Sequence, residues 1–200
     1  MSLCGISRRR LIAGTAAAAA LSQVSAESLS IASAGREAVV YQTTSLTAEG
    51  LVAALRSVQS TLKGRIAVKL HTGEPHGPNI LPREWVKALI NELPDAVIVE
   101  TNTLYGGPRA AASRHRETLV TNGWTFAPVD ILDEDGATPW PIAGGSRLKS
   151  VTVGSHLDRY DSMLVLTHFK GHGMAGFGGS LKNVAIGCAS GREGKAEIHQ

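Results

Sequence analysis

From residue 37 onward the apolar positions follow two alternating rhythms: short β-branched runs, and longer segments whose apolar residues recur three and four apart. "EAVVYQT" (37–43) reads as a strand, and "LTAEGLVAALRSVQSTL" (46–62) as a helix with Thr47 placed to cap its first turn. "RIAVKLH" (65–71) is the next strand. "PREWVKALINEL" (82–93) begins on Pro82, whose fixed φ suits a first helical turn, and stops before Pro94. "DAVIVETN" (95–102) is a third strand, and the helical spacing from Pro108 to Asn122 ends at Gly123, a residue suited to a helix C-terminus. "TFAPVDIL" (125–132) predicts a fourth strand and "DEDGATPWPIAGG" (133–145) a turn-rich connection, with "DEDG" as a solvated turn. "LKSVTVG" (148–154) and "SMLVLTHF" (162–169) predict two more strands around a helical turn at Ser155 to Tyr160, and a last helix starts near Gly179 and runs through "SLKNVAIGCA".

Strands that alternate with helices imply crossover connections, hence a largely parallel sheet covered on both faces. The expectation is a single α/β domain over residues 37–200, a three-layer sandwich, with no internal repeat and no linker to divide it.

In such a sheet ligands bind beyond the carboxyl ends of the strands, where loops meet helix N-termini. The polar residues fall there. The strand at 65–71 leads into "HTGEPHG", with His71, Thr72, Glu74 and His76; the strand at 95–102 leads into "TNTLYGGPR", with Thr101, Asn102, Thr103, Tyr105 and Arg109. The strand at 162–169 leads into "HFKGHGMAGFGGSLKN", with His168, Lys170, His172, Gly178, Gly179, Lys182 and Asn183. One apolar strand followed by one reactive loop is an ordinary connector; three in succession mark a functional edge.

Glycines let backbone N–H groups approach an anion, the last helix points its positive end at the same place, and Lys170, Lys182 and Arg109 add charge. The expected ligand is a small anion, a carboxylate or phosphate, or a metal ion. For a metal, His168 and His172 would act as loop ligands, with Glu74, His71, Cys188 or His199 as further donors, though no spacing here is diagnostic and the metal is unassigned. Gly171, Gly173 and Gly176 match G-x-G-x-x-G, but His168 to Lys170 separate them from the apolar strand and no second strand with an acidic residue follows, so a dinucleotide fingerprint is rejected. "GFGGSLKN" lacks the G-K-[ST] ending of a triphosphate loop, and no G-x-S-x-G is present. Cys188 lies inside an apolar helix and reads as a buried, inert thiol.

The leading residues change the charge picture. "MSLCGISRRRLIAGTAAAAALSQVSAES" carries Arg8, Arg9 and Arg10, a mild apolar stretch from Leu11 to Leu21 and a small-residue cleavage site ending at Ala26. Residues 1–26 thus predict an export signal of twin-arginine type and a periplasmic or secreted location, with the export machinery as a partner. The apolar stretch is too short for a bilayer span, which takes about 20 residues, so no stable membrane anchor is expected. The chain has 20 basic and 17 acidic residues, and loss of the three leading arginines balances them. A balanced chain argues against a nucleic-acid partner, which needs a surplus of Lys and Arg on one face. Cleavage would also remove Cys4 and leave Cys188 alone, without a disulfide partner and far from the four thiolates of an iron–sulfur cluster.

"VKLHTGE", "VETNTLYGGPRAAASRH" and "HFKGHGMAGFGGSLKNVAIGCASGREGKAEIH" resemble the family labelled domain of unknown function 362, often described as iron–sulfur center proteins, over about residues 37–199. The resemblance implies an α/β core of unassigned activity, frequently followed by a ferredoxin-like module with C-x-x-C-x-x-C spacing after a "GK…H" segment, matched here by Gly194, Lys195 and His199. It offers no agreed catalytic residues. This chain reaches Gln200 without a cysteine cluster, so the expectation is a core truncated before that module: an iron–sulfur cluster in relatives, its cysteines absent here.

Three readings follow: an exported core that binds a small anion or metal at the strand edge; an enzyme on a small anionic substrate, with His168 or His172 as acid and base and Lys170 among its catalytic groups; and a non-functional truncated product.

Overall fold

The computed structural model describes residues 4–7 and 38–200. Four short apolar runs form one parallel sheet: β3 (Ile66–Lys69), β4 (Val97–Glu100), β5 (Val129–Ile131) and β8 (Ser162–Val165), in the order β5-β4-β3-β8. Ala67 pairs with Val97 on one side of β3 and with Met163 on the other. These strands are uninterrupted apolar runs because both sheet faces are covered. Alternation along β3 sends Ile66 and Val68 into the larger core with Leu55, Val86, Leu89, Ile98 and Leu119, and sends Ala67 into a smaller one with Val97, Val99 and Leu132. The larger core is roofed by α1 (Ala48–Arg56), α2 (Arg83–Asn91) and α3 (Ala112–Thr121). Leu157, Tyr160 and Met163 close the smaller one, and α4 (Ser180–Cys188) packs beside β3 and β8. The architecture is the three-layer α/β sandwich expected from the alternation.

Local signals hold at the helix ends. Thr47 Oγ1 accepts the Gly50 N–H at 3.2 Å, and Gly123 takes a φ of 77° directly after α3. Pro82 precedes the first turn of α2 rather than lying in it. α3 begins at Ala112, four residues later than its spacing suggests, because Pro108 to Ala111 belong to the loop that carries Arg109.

Three predicted elements differ. The turn-rich "ATPWP" is a strand, β6 (Ala137–Pro141), paired antiparallel with β7 (Ser150–Gly154), so the run 148–154 stands outside the parallel sheet. Its prolines are tolerated because this ribbon has free edges. The strand predicted at 162–169 ends at Val165; beyond it β9 (Lys170–His172) and β10 (Gly176–Gly178) form a hairpin that turns at residues 173–175, with Gly176 at φ 71°. β2 (Val39–Gln42) pairs with β1 (Cys4–Ser7) and not with the main sheet. Apart from Cys4–Ser7, the export signal expected over 1–26 lies outside the described residues. A short helix without a sequence signal, α5 (Gly194–Ile198), docks on β7, where Glu197 accepts from the Thr152 N–H and hydroxyl, both at 2.8 Å. Among the described residues no helix is long and apolar enough to cross a membrane.

Candidate functional site

At the carboxyl ends of β3 and β4 two charged side chains are buried inside apolar strands. Lys69 is 1% exposed and Glu100 3%, and they meet at 2.9 Å. An uncompensated ion at such depth is costly, so the arrangement persists only with every lone pair and proton engaged. Glu100 also accepts from Arg109 at 3.1 Å and from the N–H groups of Thr72 and Thr101, both at 3.2 Å. Burial works to raise its carboxyl pKa; the charges of Lys69 and Arg109 outweigh that and hold it far below the usual carboxylate range. Lys69 Nζ spends its other protons on the Leu70 carbonyl and on Asn183 Oδ1, each at 2.9 Å.

A second chain of contacts runs sideways from Arg109. Its Nε–H donates to His115 Nε2 at 3.2 Å, so the imidazole proton sits on Nδ1, which faces Asn102 Oδ1 at 3.3 Å. Burial, then the Arg109 charge, lower the His115 pKa to about 4, which agrees with this neutral tautomer. The Asn102 amide and its backbone N–H both donate to Asp133 Oδ1, and Asp133 Oδ2 accepts from Gly191 N at 2.8 Å. "DEDG" is the largely exposed turn its sequence suggests, and its acids are engaged as well: Asp133 ties the β4 loop to the chain's last segment, and Asp135, together with Asp130 of β5, grips His156 at 2.8 and 2.7 Å. Lys195, buried so that its ammonium pKa drops to about 8, donates to Thr101 Oγ1 at 2.6 Å, to the Ala189 carbonyl at 3.0 Å and to the Asn102 carbonyl.

Above this buried layer lies a more accessible rim. Arg109 Nη1 meets Glu74 Oε1 at 3.0 Å, and the exposed Tyr105 donates to the same oxygen at 2.9 Å; burial and that bond push its phenol up to about 12. The half-exposed His71 stands 3.8 Å from Glu100. Its pKa is lowered, first by burial and then by Arg109 and Lys69 against the pull of Glu100, which favours the neutral imidazole at pH 7. His76 is exposed at φ 55°, its N–H held by Asn122. Thr103 caps the loop through the Tyr105 carbonyl.

On the far side of Lys69 stands the N-terminus of α4. Asn183 Nδ2 donates to Thr167 Oγ1 at 3.0 Å, to the Leu166 carbonyl at 3.3 Å and to the Lys69 carbonyl at 3.4 Å. These bonds fix the first turn of α4 against the ends of β3 and β8. Gly179 begins the helix without a side-chain cap, the first turn holds no acid, and Lys182 lies within it. Gly187 makes the close packing possible: a Cβ there would lie 2.4 Å from Lys69 Cε.

The structure thus brings together His71, Glu74, Thr101, Asn102, Tyr105, Arg109 and Asn183 around Glu100 and Lys69. The glycine-rich residues form a separate projecting hairpin beside α4. His168 is exposed at its base, the Lys170 ammonium donates to the neighbouring Gly171 carbonyl, and His172 Nδ1 accepts the N–H groups of Met174 and Ala175 at 3.2 Å, closing the hairpin's own turn. Gly178 and Gly179 link that hairpin to α4, where Lys182 is half-buried. Sequence reasoning passed over Lys69, Glu100, His115, Asp133 and Lys195 as site residues. The available signal was a charged residue inside each of two neighbouring apolar strands, "VKL" and "VET".

For a metal, no group of three His, Cys, Asp or Glu side chains converges among the described residues. An iron–sulfur cluster does not fit this donor set: the chain holds two cysteines, and Cys188 is buried with its thiol pKa raised by that burial.

Comparison with curated proteins and with solved structures finds no match. A family model does match, over residues 66–200, a span that runs from β3 through the Lys69–Glu100 layer, the hairpin and Lys195. The chain belongs to the family described as Domain of unknown function (DUF362).

Proposed function

We propose that this chain binds a small carboxylate or phosphate at the carboxyl edge of its parallel sheet, between the rim of His71, Glu74 and Tyr105 and the first turn of α4. The observation that carries the reading is the placement of α4. Its uncapped N–H groups and Lys182 are held at the ends of β3 and β8 by Asn183, itself bonded to the buried Lys69. A helix N-terminus without its own acid favours an incoming anion, and Lys170 and Lys182 add positive charge. The reading favours an anion over a metal because the nearest carboxylates, Glu100 and Glu74, are already engaged by Lys69, Arg109 and Tyr105.

Calorimetric titration with inorganic phosphate and with short carboxylates tests it. Binding is expected, and Lys182→Ala is expected to weaken it roughly fivefold, the scale of one charge at a helix terminus. Absence of binding at millimolar anion, or equal affinity in the variant, overturns it.

A second reading, an enzyme that acts on such an anion by histidine acid–base chemistry, is favoured at His71: a neutral, accessible imidazole beside a fixed carboxylate can take up a proton. His71→Ala would abolish turnover while leaving phosphate affinity within about twofold, the split expected when a residue acts in the chemistry rather than in binding. Unchanged turnover in that variant removes the reading.

We also propose that the chain is exported through its twin-arginine leader. Arg8→Lys with Arg9→Lys should hold it in the cytoplasm; secretion unaffected by that change refutes the route.

A further inference from the structure

The hairpin of β9 and β10 carries the barest large apolar side chains of the site's edge. Phe169 is 71% exposed, Met174 89%, Phe177 59% and Leu181, in the first turn of α4, 88%. Four large apolar side chains so close in sequence and so bare are not a scatter of single surface hydrophobics. The Phe169 and Phe177 rings lie 5.5 Å apart, and both approach the Cβ position of Gly179 within 3.6 Å, so they form one patch over the start of α4. Among the described residues nothing lies within 4 Å of the Cβ positions of Gly171, Gly173 or Gly176, so the ribbon stands clear of the sheet and helices.

Its two faces differ. Side chains alternate along a strand, so Lys170 and His172 share one face, while Phe177, paired with Gly171, shares the other with Phe169. Residues 162–192 contain Lys170, Lys182 and Arg192 and no acidic residue. The charges felt by His172 are those of Lys182 and Lys170, both cations.

We propose that this hairpin, with the first turn of α4, docks on the headgroup region of an anionic lipid membrane. Phe169, Phe177, Met174 and Leu181 enter the acyl boundary while Lys170 and Lys182 meet lipid phosphates. Apolar side chains flanked by cations, with no acid nearby, are the requirement for binding in that interface. A protein partner would need shape to recognise, and a glycine-rich ribbon with open space at three glycines presents no formed pocket. The ribbon's outward N–H and C=O groups stay at headgroup depth, where water and phosphate supply partners. This is peripheral attachment: it shares Lys170 and Lys182 with the small-anion reading, while the apolar contacts of Phe169, Met174, Phe177 and Leu181 belong to it alone.

The test uses the full chain carrying Phe177→Trp, with the emission of Trp85, Trp124 and Trp140 subtracted through the unsubstituted protein. The new indole reports the hairpin itself, so attachment through the leading arginines does not move it. Vesicles of mixed phosphatidylglycerol and phosphatidylcholine should shift its emission to the blue, brominated lipid should quench it, and salt should reverse both. Lys170→Gln with Lys182→Gln should lower the partition coefficient by roughly thirtyfold, at one surface cation's contribution each. Met174→Asp, at the exposed tip, should lower it at least about tenfold. Unchanged emission with anionic vesicles overturns the proposal, as does an equal shift with pure phosphatidylcholine. A shift that grows with protein concentration without lipid assigns the face to a second copy and overturns it too.

Discussion

Glu100 is the most consequential single side chain, because two cations and two backbone N–H groups converge on it. Glu100→Gln leaves Lys69 and Arg109 buried without their shared anion and should cost about 3–5 kcal/mol in urea unfolding, the usual penalty for breaking a buried pair from one side. Lys69→Met should cost less, since Arg109 still neutralises the carboxylate. The Thr72 hydroxyl, buried beside this group, has no hydrogen-bond partner among the described residues. Thr72→Val should therefore be neutral or stabilising by about 1 kcal/mol, and a clear loss of stability would show a partner for that oxygen. His115 sets a pH dependence. Its folded pKa of about 4 lies below the unfolded 6.5, so between these values the unfolded chain binds a proton that the folded chain refuses. Stability contributed by neutral His115 is complete above pH 6.5 and falls by about 3 kcal/mol as pH drops to 4. His115→Gln should flatten that part of the stability profile; an unaltered slope would mean that the imidazole is charged in the fold. The exposed members of the site were legible because they stand at strand ends, where polarity is conspicuous. Lys69 and Glu100 were hidden because a charge within an apolar run reads as strand filler, and only knowledge that the two strands are neighbours makes them a pair.

Among the elements, α4 and α5 matter most for the site. Gly194 begins α5 where a Cβ would lie 1.8 Å from the Thr152 carbonyl oxygen, a backbone atom that cannot swing away. Gly194→Ala should lift α5 from β7, loosen Lys195 from Thr101 and destabilise the protein by roughly 1–3 kcal/mol, the cost of overpacking. Gly106→Ala, with open space around it, is the control that should change little. Amide exchange at Thr152, whose N–H is held by Glu197 of α5, reports the loosening directly; normal protection in Gly194→Ala would contradict the packing. β3 and β4 were legible because strands buried on both faces are uninterrupted apolar runs. β6 was not, because "TPWP" has turn chemistry and only its pairing with β7 makes it a strand. β9 and β10 were hidden for a related reason: glycine-rich ribbons carry no hydrophobic period, and their pairing is set by the turn. The short α5 has too few residues for a period and is held by Glu197 and Lys195 rather than by an apolar stripe. β2 shows the limit of periodicity from the other side: its run is strand-like, yet Val39, Val40 and Tyr41 are exposed and outside the main sheet. A chain beginning at residue 27, without β1, should accordingly unfold within about 1 kcal/mol of the whole one, as expected for a change remote from the core.

At the scale of the molecule, the order β5-β4-β3-β8 explains why residues far apart in sequence share one edge. β3 and β4 are adjacent and parallel, so the loops that follow them emerge together, and β8 on the other flank of β3 delivers α4 to the same edge. Parallel pairing was implied by the alternation of strands and helices; the strand order was not, and it decides that Lys69 faces Glu100 and Asn183 rather than the hairpin's histidines. Positive charge is distributed accordingly, with Lys69, Arg109 and Lys195 consumed by buried partners and Lys170 and Lys182 left at the surface near the uncapped helix. The anion proposed for that helix start would meet these two lysines and the first-turn amides. Nitrogen–proton correlation spectra of the labelled chain, recorded as inorganic phosphate is added at constant ionic strength, test this most directly. Saturable shifts of the Ser180, Leu181 and Lys182 amides are expected, while those of α1 and α2 stay fixed. Shifts that fail to saturate, or that cluster away from the start of α4, would contradict it.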